Sequence, residues 1–483
     1  AGQHGYHGMT GKQKKPLLWL CVLLAVALAL VCWAVLNALR GGQAKQPQVS
    51  PQLAEAPDAL DDIQIDALLC PDERSMQVTQ VLTLTARGDE PRQELVLRTW
   101  ANAFQKPDTS PVAGNEDCCP AGFSAGSLVI DEATLHRADG ISRPVYRYTD
   151  EARTVLSIPL EEAWQPGERL MVTLRYTVHF PHVRYRFGWW EDTFMAGHAF
   201  VTPALWQDGA YRTDAWQTLG DPLSGECCNY TISCTVPEGY TCAAGGSIAA
   251  TARTEQGISC IIDAPAVRDP ALVMSRTLTS VSETADGVRI QAFAPDKGDA
   301  RRILGWAKNS LKSYGQRWGQ YPWSVYTVCA LPLGVSGAEY TALSMVSDSL
   351  EETAQEYAVA HETAHQWWYA LVGSDSQTHP WQDEALCEYS LLCYVGDRYG
   401  AAAREELRHT RFENAMRVTV PGSATPGAPL DYFETETDYM VLVYGRAPAF
   451  LCAADELLQG GMDKALAAYA DAFAFAIADR QAF

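Results

Sequence analysis

The chain has 483 residues, of which 47% are hydrophobic and 20% charged, enough to bury two cores and too apolar for an intrinsically disordered protein. Its formal net charge of −21 excludes a nucleic-acid binder, whose affinity depends on neutralising phosphates, and fits a soluble, hydrated domain. No internal repeat is visible, and none of the 14 cysteines falls in a cluster with metal-ligand spacing.

Residues 1–16 read as a cytoplasmic tail. From Leu17 to Leu39 run 23 residues without a charge, LLWLCVLLAVALALVCWAVLNAL, which as a helix would span roughly 35 Å and cross a bilayer. Lys12, Lys14 and Lys15 precede this run and only Arg40 follows closely. The positive-inside rule therefore keeps the amino terminus in the cytoplasm and sends the rest out, as in a single-pass protein of the cell membrane with an extracellular catalytic part. A cleaved signal peptide is the alternative, but the run exceeds an ordinary h-region and no small-residue cleavage site follows. Residues 40–61, rich in Pro, Gln and Ala without periodicity, read as a linker.

Residues 62–280 carry short alternating runs such as MQVTQVLTLTA and RLMVTLRYTVHF between Gly, Pro and Asp turns. They predict an antiparallel β domain of sandwich or saddle shape. Cys242 and Cys260, placed as if across a hairpin, are the best candidates for a disulfide in an exported protein. From 281 to 483 the pattern changes: VRIQAFAP is followed by the helical run ARRILGWAKNSLKSYGQRWG and then by the strand YTVCALPL. The fold class expected is thus α+β with several domains.

The stretch HETAHQWWYALVGSDSQTHPWQDEALCEY carries the chemistry. His361 and His365 are four apart in the run Tyr357–Val372, which as a helix puts both imidazoles on one face. Two imidazoles one turn apart hold a single zinc ion, and Glu362 is angled toward a water in the open position, as a base rather than a ligand. Gly373 to Pro380 is rich in turn formers, and Trp381 to Tyr394 reads as a second helix. Glu384, eighteen residues after His365, falls in its first turn and completes a His2Glu site. Glu388, one turn later, either supports that site or is a solvated helix acid.

These residues resemble the gluzincin zinc aminopeptidases, the membrane alanyl aminopeptidase and leukotriene hydrolase family. HExxH, eighteen residues and Glu are the family pattern, and HQWWYALVG and WQDEALCEYS are similar to its typical runs, with Asp383 where asparagine is usual. The resemblance implies one zinc ion per chain, peptide substrates and a thermolysin-like catalytic domain after the β domain. In the family's G-x-M-E-N place stands SGAEY, Ser336 to Tyr340, so that Glu339 corresponds to the glutamate that binds the substrate's amino terminus. In the Y-x-K-G-A place stands VYGRA, Val443 to Ala447, which makes Tyr444 the oxyanion residue, with Tyr439 as rival and Arg446 in the lysine place. The sequence stops at Phe483, before the helical domain that commonly follows in the family, so that domain is either absent or cut off, and an open cleft is one expectation. The activity implied is a membrane-anchored aminopeptidase with Glu362 as general base. The alternatives are a zinc endopeptidase and a catalytically silent surface-binding relative; the sequence leaves the oligomeric state open.

Overall fold

The computed structural model describes residue 53 and residues 60–137, 140–222 and 225–483. The expected tail, the Leu17–Leu39 span and nearly all of the linker lie outside these residues. Among the described residues no helix is long and apolar enough to cross a membrane.

Alternation builds the first part. Strand Asp61–Cys70 buries Ile63, Ile65, Ala67 and Leu69 and turns Asp62, Gln64 and Asp66 outward, and Ser75–Thr85 buries Met76, Val78, Leu82 and Leu84 in the same way. Both belong to an eight-stranded sheet, ordered Ser247–Thr254, Gly257–Val267, Cys228–Val236, Asp61–Cys70, Ser75–Thr85, Arg169–His179, Ser127–Arg137 and Gly140–Ser142. Two four-stranded sheets and the short hairpin Trp206–Gln207 and Ala210–Tyr211 complete this part around a core that includes Trp100, Phe104, Trp164, Phe180 and Phe187. The domain is not wholly antiparallel: Asp61–Cys70 runs parallel to Cys228–Val236, with Asp61 opposite Cys228. A strand inserted beside a partner so distant in sequence leaves no local signal.

The second part rests on a five-stranded sheet, ordered Thr279–Ala285, Val288–Ala294, Val325–Leu331, Leu343–Ser347 and Gly337–Tyr340. Its first strand lies across the 280/281 boundary read from the sequence. The inner pairs are parallel and both edge strands are antiparallel to their neighbours. The helix Lys297–Trp318 starts at Asp296, whose carboxylate accepts from the N–H groups of Gly298 and Asp299 at 2.6 and 3.1 Å. It buries Ile303, Ala307, Leu311, Tyr314 and Trp318, and the Tyr314 hydroxyl donates to the Ala360 carbonyl at 2.9 Å, tying it to the helix that carries HETAH.

Arg268, only 1% exposed, joins the two parts. It donates to the carbonyls of Tyr369 at 2.7 Å, Ala370 at 3.2 Å, Leu371 at 3.3 Å, Gly225 at 3.1 Å and Ala476 at 2.7 Å. A planar, always charged fork suits this clamp, because no neutral side chain offers so many donors. Arg268→Met leaves the carbonyls of Tyr369, Ala370 and Gly225 without a donor, while Leu371 O keeps the N–H of Phe475 and Ala476 O that of Gly373. We expect it to cost about 3 kcal/mol of stability, seen as a lower urea midpoint; an unchanged midpoint would show that other groups satisfy the turn.

The expected Cys242–Cys260 disulfide is absent: all twelve described cysteines are free thiols. Cys260 stands opposite Cys234 on the neighbouring strand, and Cys242 lies in the separate four-stranded sheet, so the hairpin that would have paired Cys242 with Cys260 does not form.

Candidate metal centre and its cleft

The HETAH helix spans Glu352–Ala364 and stops at His365, earlier than the run to Val372 suggests. Trp367 and Trp368 are both fully buried, with indole N–H groups reaching Gly319 O at 3.2 Å and Ser390 Oγ at 2.9 Å. Residues after His365 form wide turns, with the N–H of Ala370 on His365 O, Leu371 on Gln366 O and Val372 on Trp367 O. The carbonyls so exposed are those that Arg268 takes up.

The second helix, Trp381–Tyr399, runs one turn further than the sequence indicates and places Glu384 in its first turn. The two helices bring His361, His365 and Glu384 together, all buried, with one donor atom from each within 4.8 Å of the others. His361 Nε2 and His365 Nε2 are 3.2 Å apart, and Glu384 Oε2 is 3.2 Å from the first and 3.6 Å from the second. Each ring's other nitrogen is engaged. His361 Nδ1 donates to Glu388 at 3.0 Å and His365 Nδ1 donates to Asp383 at 2.8 Å. That leaves the two Nε2 atoms facing each other and a carboxylate, an arrangement that needs either a proton or a metal cation among the three. Two nitrogens and one carboxylate oxygen with room for a further ligand are a donor set that fits zinc.

Glu388 is held by more than its histidine. Arg411 donates to both its oxygens at 2.9 and 2.7 Å. Burial raises its carboxyl, but Arg411 and the His361 ring outweigh this and hold it below the ordinary value. It is a partner of the site, not a solvated helix acid. Asp383, the departure from asparagine, serves His365 in the same way.

Glu362 lies beside this centre and differs from its neighbours. It is 6% exposed, and its Oε2 has no hydrogen-bond partner. Burial pushes its carboxyl up to about 8, against the pull of His365 and His361. A divalent cation among the ligands works in the opposite direction, so the group stands near the range a general base needs. A Cβ built on Gly337 would sit 2.2 Å from Glu362 Oε1, so any other residue here would displace this carboxylate from its present position. SGAEY thus carries a second constraint that its comparison with G-x-M-E-N does not reveal.

Glu339 lies on the edge strand Gly337–Tyr340, opposite Ser344, and its buried carboxylate lines the same cleft as Glu362. Arg186 Nη2 approaches it at 3.7 Å, while Nη1 of the same guanidinium is 2.6 Å from Asp221. Burial and then Asp221 raise the Glu339 carboxyl, and Arg186 opposes them. Two carboxylates against one guanidinium leave a negative charge over.

Tyr444 sits on the wide helical turn Met440–Arg446, half-buried, its ring stacked on His361 at 5.9 Å and 18°. Burial and the Glu384 carboxylate push its phenol well above the ordinary value, so it stays a donor. Tyr439 meets Tyr444 edge-on at 5.6 Å and 79°, because bonds spanning five residues bring positions five apart onto neighbouring faces. Arg446 turns away, donating to Ala415 O and Val418 O.

The site opens into a cleft of about 1560 Å³ with walls from both parts of the chain. Arg186, Asp221, Arg411 and Gly337 adjoin these side chains, and the sequence reading missed them. Only Gly337, within the motif, carried a local signal.

Solved structures share this fold. An M1 zinc metallopeptidase from Deinococcus radiodurans, in a mutant form, matches with a TM-score of 0.58 at 17% identity, over 88% of this chain and 89% of that one. The same mutant bound to a Tyr-Ser-Ala substrate matches with a TM-score of 0.58 at 17% identity, over 88% of each chain. No protein-family model matches the sequence. No curated protein matches it. The likeness is therefore one of fold.

Proposed function

We propose that the chain is a zinc aminopeptidase that removes the first residue of extracellular peptides and is anchored in the cell membrane by Leu17–Leu39. The observation that carries this reading is the convergence of two imidazole lone pairs and a buried carboxylate, each histidine oriented by its own carboxylate, beside the unpartnered oxygen of Glu362. His361, His365 and Glu384 would hold the zinc. When bound, it acidifies a water and polarises the scissile carbonyl.

Glu362 removes the proton from the attacking water and returns it to the leaving amine. Tyr444 donates its hydroxyl to the oxygen on which negative charge grows. Glu339, with the surplus negative charge around Arg186, receives the substrate's α-ammonium and sets the first peptide bond at the reacting position. The membrane anchor rests on the uncharged run and the lysines before it.

The volume of the cleft favours one rival, a zinc endopeptidase that accepts peptides along their length. Free and acetylated versions of one peptide separate the two. An enzyme that depends on Glu339 should lose about tenfold or more in kcat/KM on acetylation, and a chelator should stop both reactions. Equal rates on the two peptides would overturn the aminopeptidase reading.

A further inference from the structure

The cleft walls are acidic well beyond the reacting centre. Glu116 and Asp117 line one side, from the first part of the chain, and Asp431, Glu434 and Glu436 line another, from the segment before Tyr444. All five are exposed, and among the described residues none forms an ion pair within 4.0 Å. The two guanidinium groups that line the cleft are already engaged, Arg186 by Asp221 and Glu339 and Arg411 by Glu388. Deep in the same cleft the Glu362 carboxylate, more than nine-tenths buried, presents an oxygen with no partner.

The negative charge of this opening is therefore not cancelled from within, and the chain's net charge of −21 adds to it. A concave, low-dielectric surface lined by one sign of charge focuses the field and concentrates ligands of opposite sign. Glu339, proposed to fix the reacting end of a substrate, lines the same cleft as these carboxylates.

We propose that the cleft selects cationic peptides, those with lysine or arginine in the residues that follow the scissile bond, and that Glu116, Asp117, Asp431, Glu434 and Glu436 provide this selection. The inference rests on the peptidase reading, and it specifies the substrate class of the same site. Exposed charges select weakly one by one and strongly together, and they act chiefly on encounter, so the preference should lie in kcat/KM and fade as salt screens it.

The experiment uses the zinc-loaded full chain with three peptides of equal length and the same first two residues, followed by lysines, serines or glutamates. Each is supplied free and acetylated, at low and at high salt. In low salt kcat/KM for the lysine peptide should exceed that for the glutamate peptide by about 10- to 100-fold, with the serine peptide between them. High salt should compress the ratio several-fold. Neutralising the far wall together (Asp431→Asn, Glu434→Gln, Glu436→Gln), or the near wall (Glu116→Gln, Asp117→Asn), should shrink it as well; these side chains are exposed, so folding is not at issue. A ratio near one in low salt, or a ratio indifferent to salt and to both sets of substitutions, would overturn the proposal. If acetylated peptides are cleaved as fast as free ones, the aminopeptidase reading fails, while the charge ratio still decides this one.

Discussion

Glu362→Gln is expected to lower kcat by about 10,000-fold, the upper end of what one acid-base group contributes when it both takes and returns the proton, with KM and bound zinc unchanged. Glutamine keeps the shape of the side chain, so the tight approach to Gly337 is preserved and His361, His365 and Glu384 are not disturbed. What it removes is basicity. The Glu362 carboxylate has an unpartnered oxygen, and burial raises its affinity for a proton, both of which are costly in a folded protein and useful to a base. A rate assay beside metal analysis tests this. A variant that loses its zinc would show that Glu362 is structural, and one that keeps its rate would remove it from the mechanism.

Spacing made much of the centre legible. Two histidines four apart on a helix and a glutamate eighteen residues on, after a turn-rich stretch, sufficed to expect the three donors on two helices, and the helices form there. The alternation in Ser75–Thr85 and Arg169–His179 likewise decides which side of each strand is buried. What escaped is what depends on partners far away in sequence. The HETAH helix ends at His365, and the carbonyls of the wide turns that follow are taken up by Arg268 from the first part of the chain. Arg186 and Asp221 meet Glu339 only once both parts of the chain have folded. Arg411 reaches Glu388 from a segment with no motif of its own. The cysteines misled for the same reason: Cys242 and Cys260 suggest a hairpin in one dimension and lie in different sheets in three.

Tyr444→Phe is expected to cost about 100-fold in kcat, with KM and zinc content nearly unchanged, whereas Tyr439→Phe should cost about tenfold or less. The sequence left both phenols as candidates, and their surroundings separate them. Burial and the Glu384 carboxylate keep both hydroxyls protonated, but Tyr444 alone stacks its ring on His361, which places it against the proposed metal ligands. A hydroxyl held as a donor next to the ligands costs no reorganisation when charge develops on the substrate oxygen, which is why it acts on kcat rather than on binding. Tyr439 is more deeply buried, packs edge-on against Phe433 at 5.3 Å, and has its hydroxyl at Gly220, where an added Cβ would come within 3.3 Å of it. Its contact with Tyr444 lets it position the other phenol, an indirect role that one lost hydroxyl weakens only in part. Phenylalanine keeps both rings and their packing, so the paired variants compare hydroxyls alone. If Tyr439→Phe proved the more damaging of the two, the oxyanion donor would be Tyr439 and Tyr444 its support.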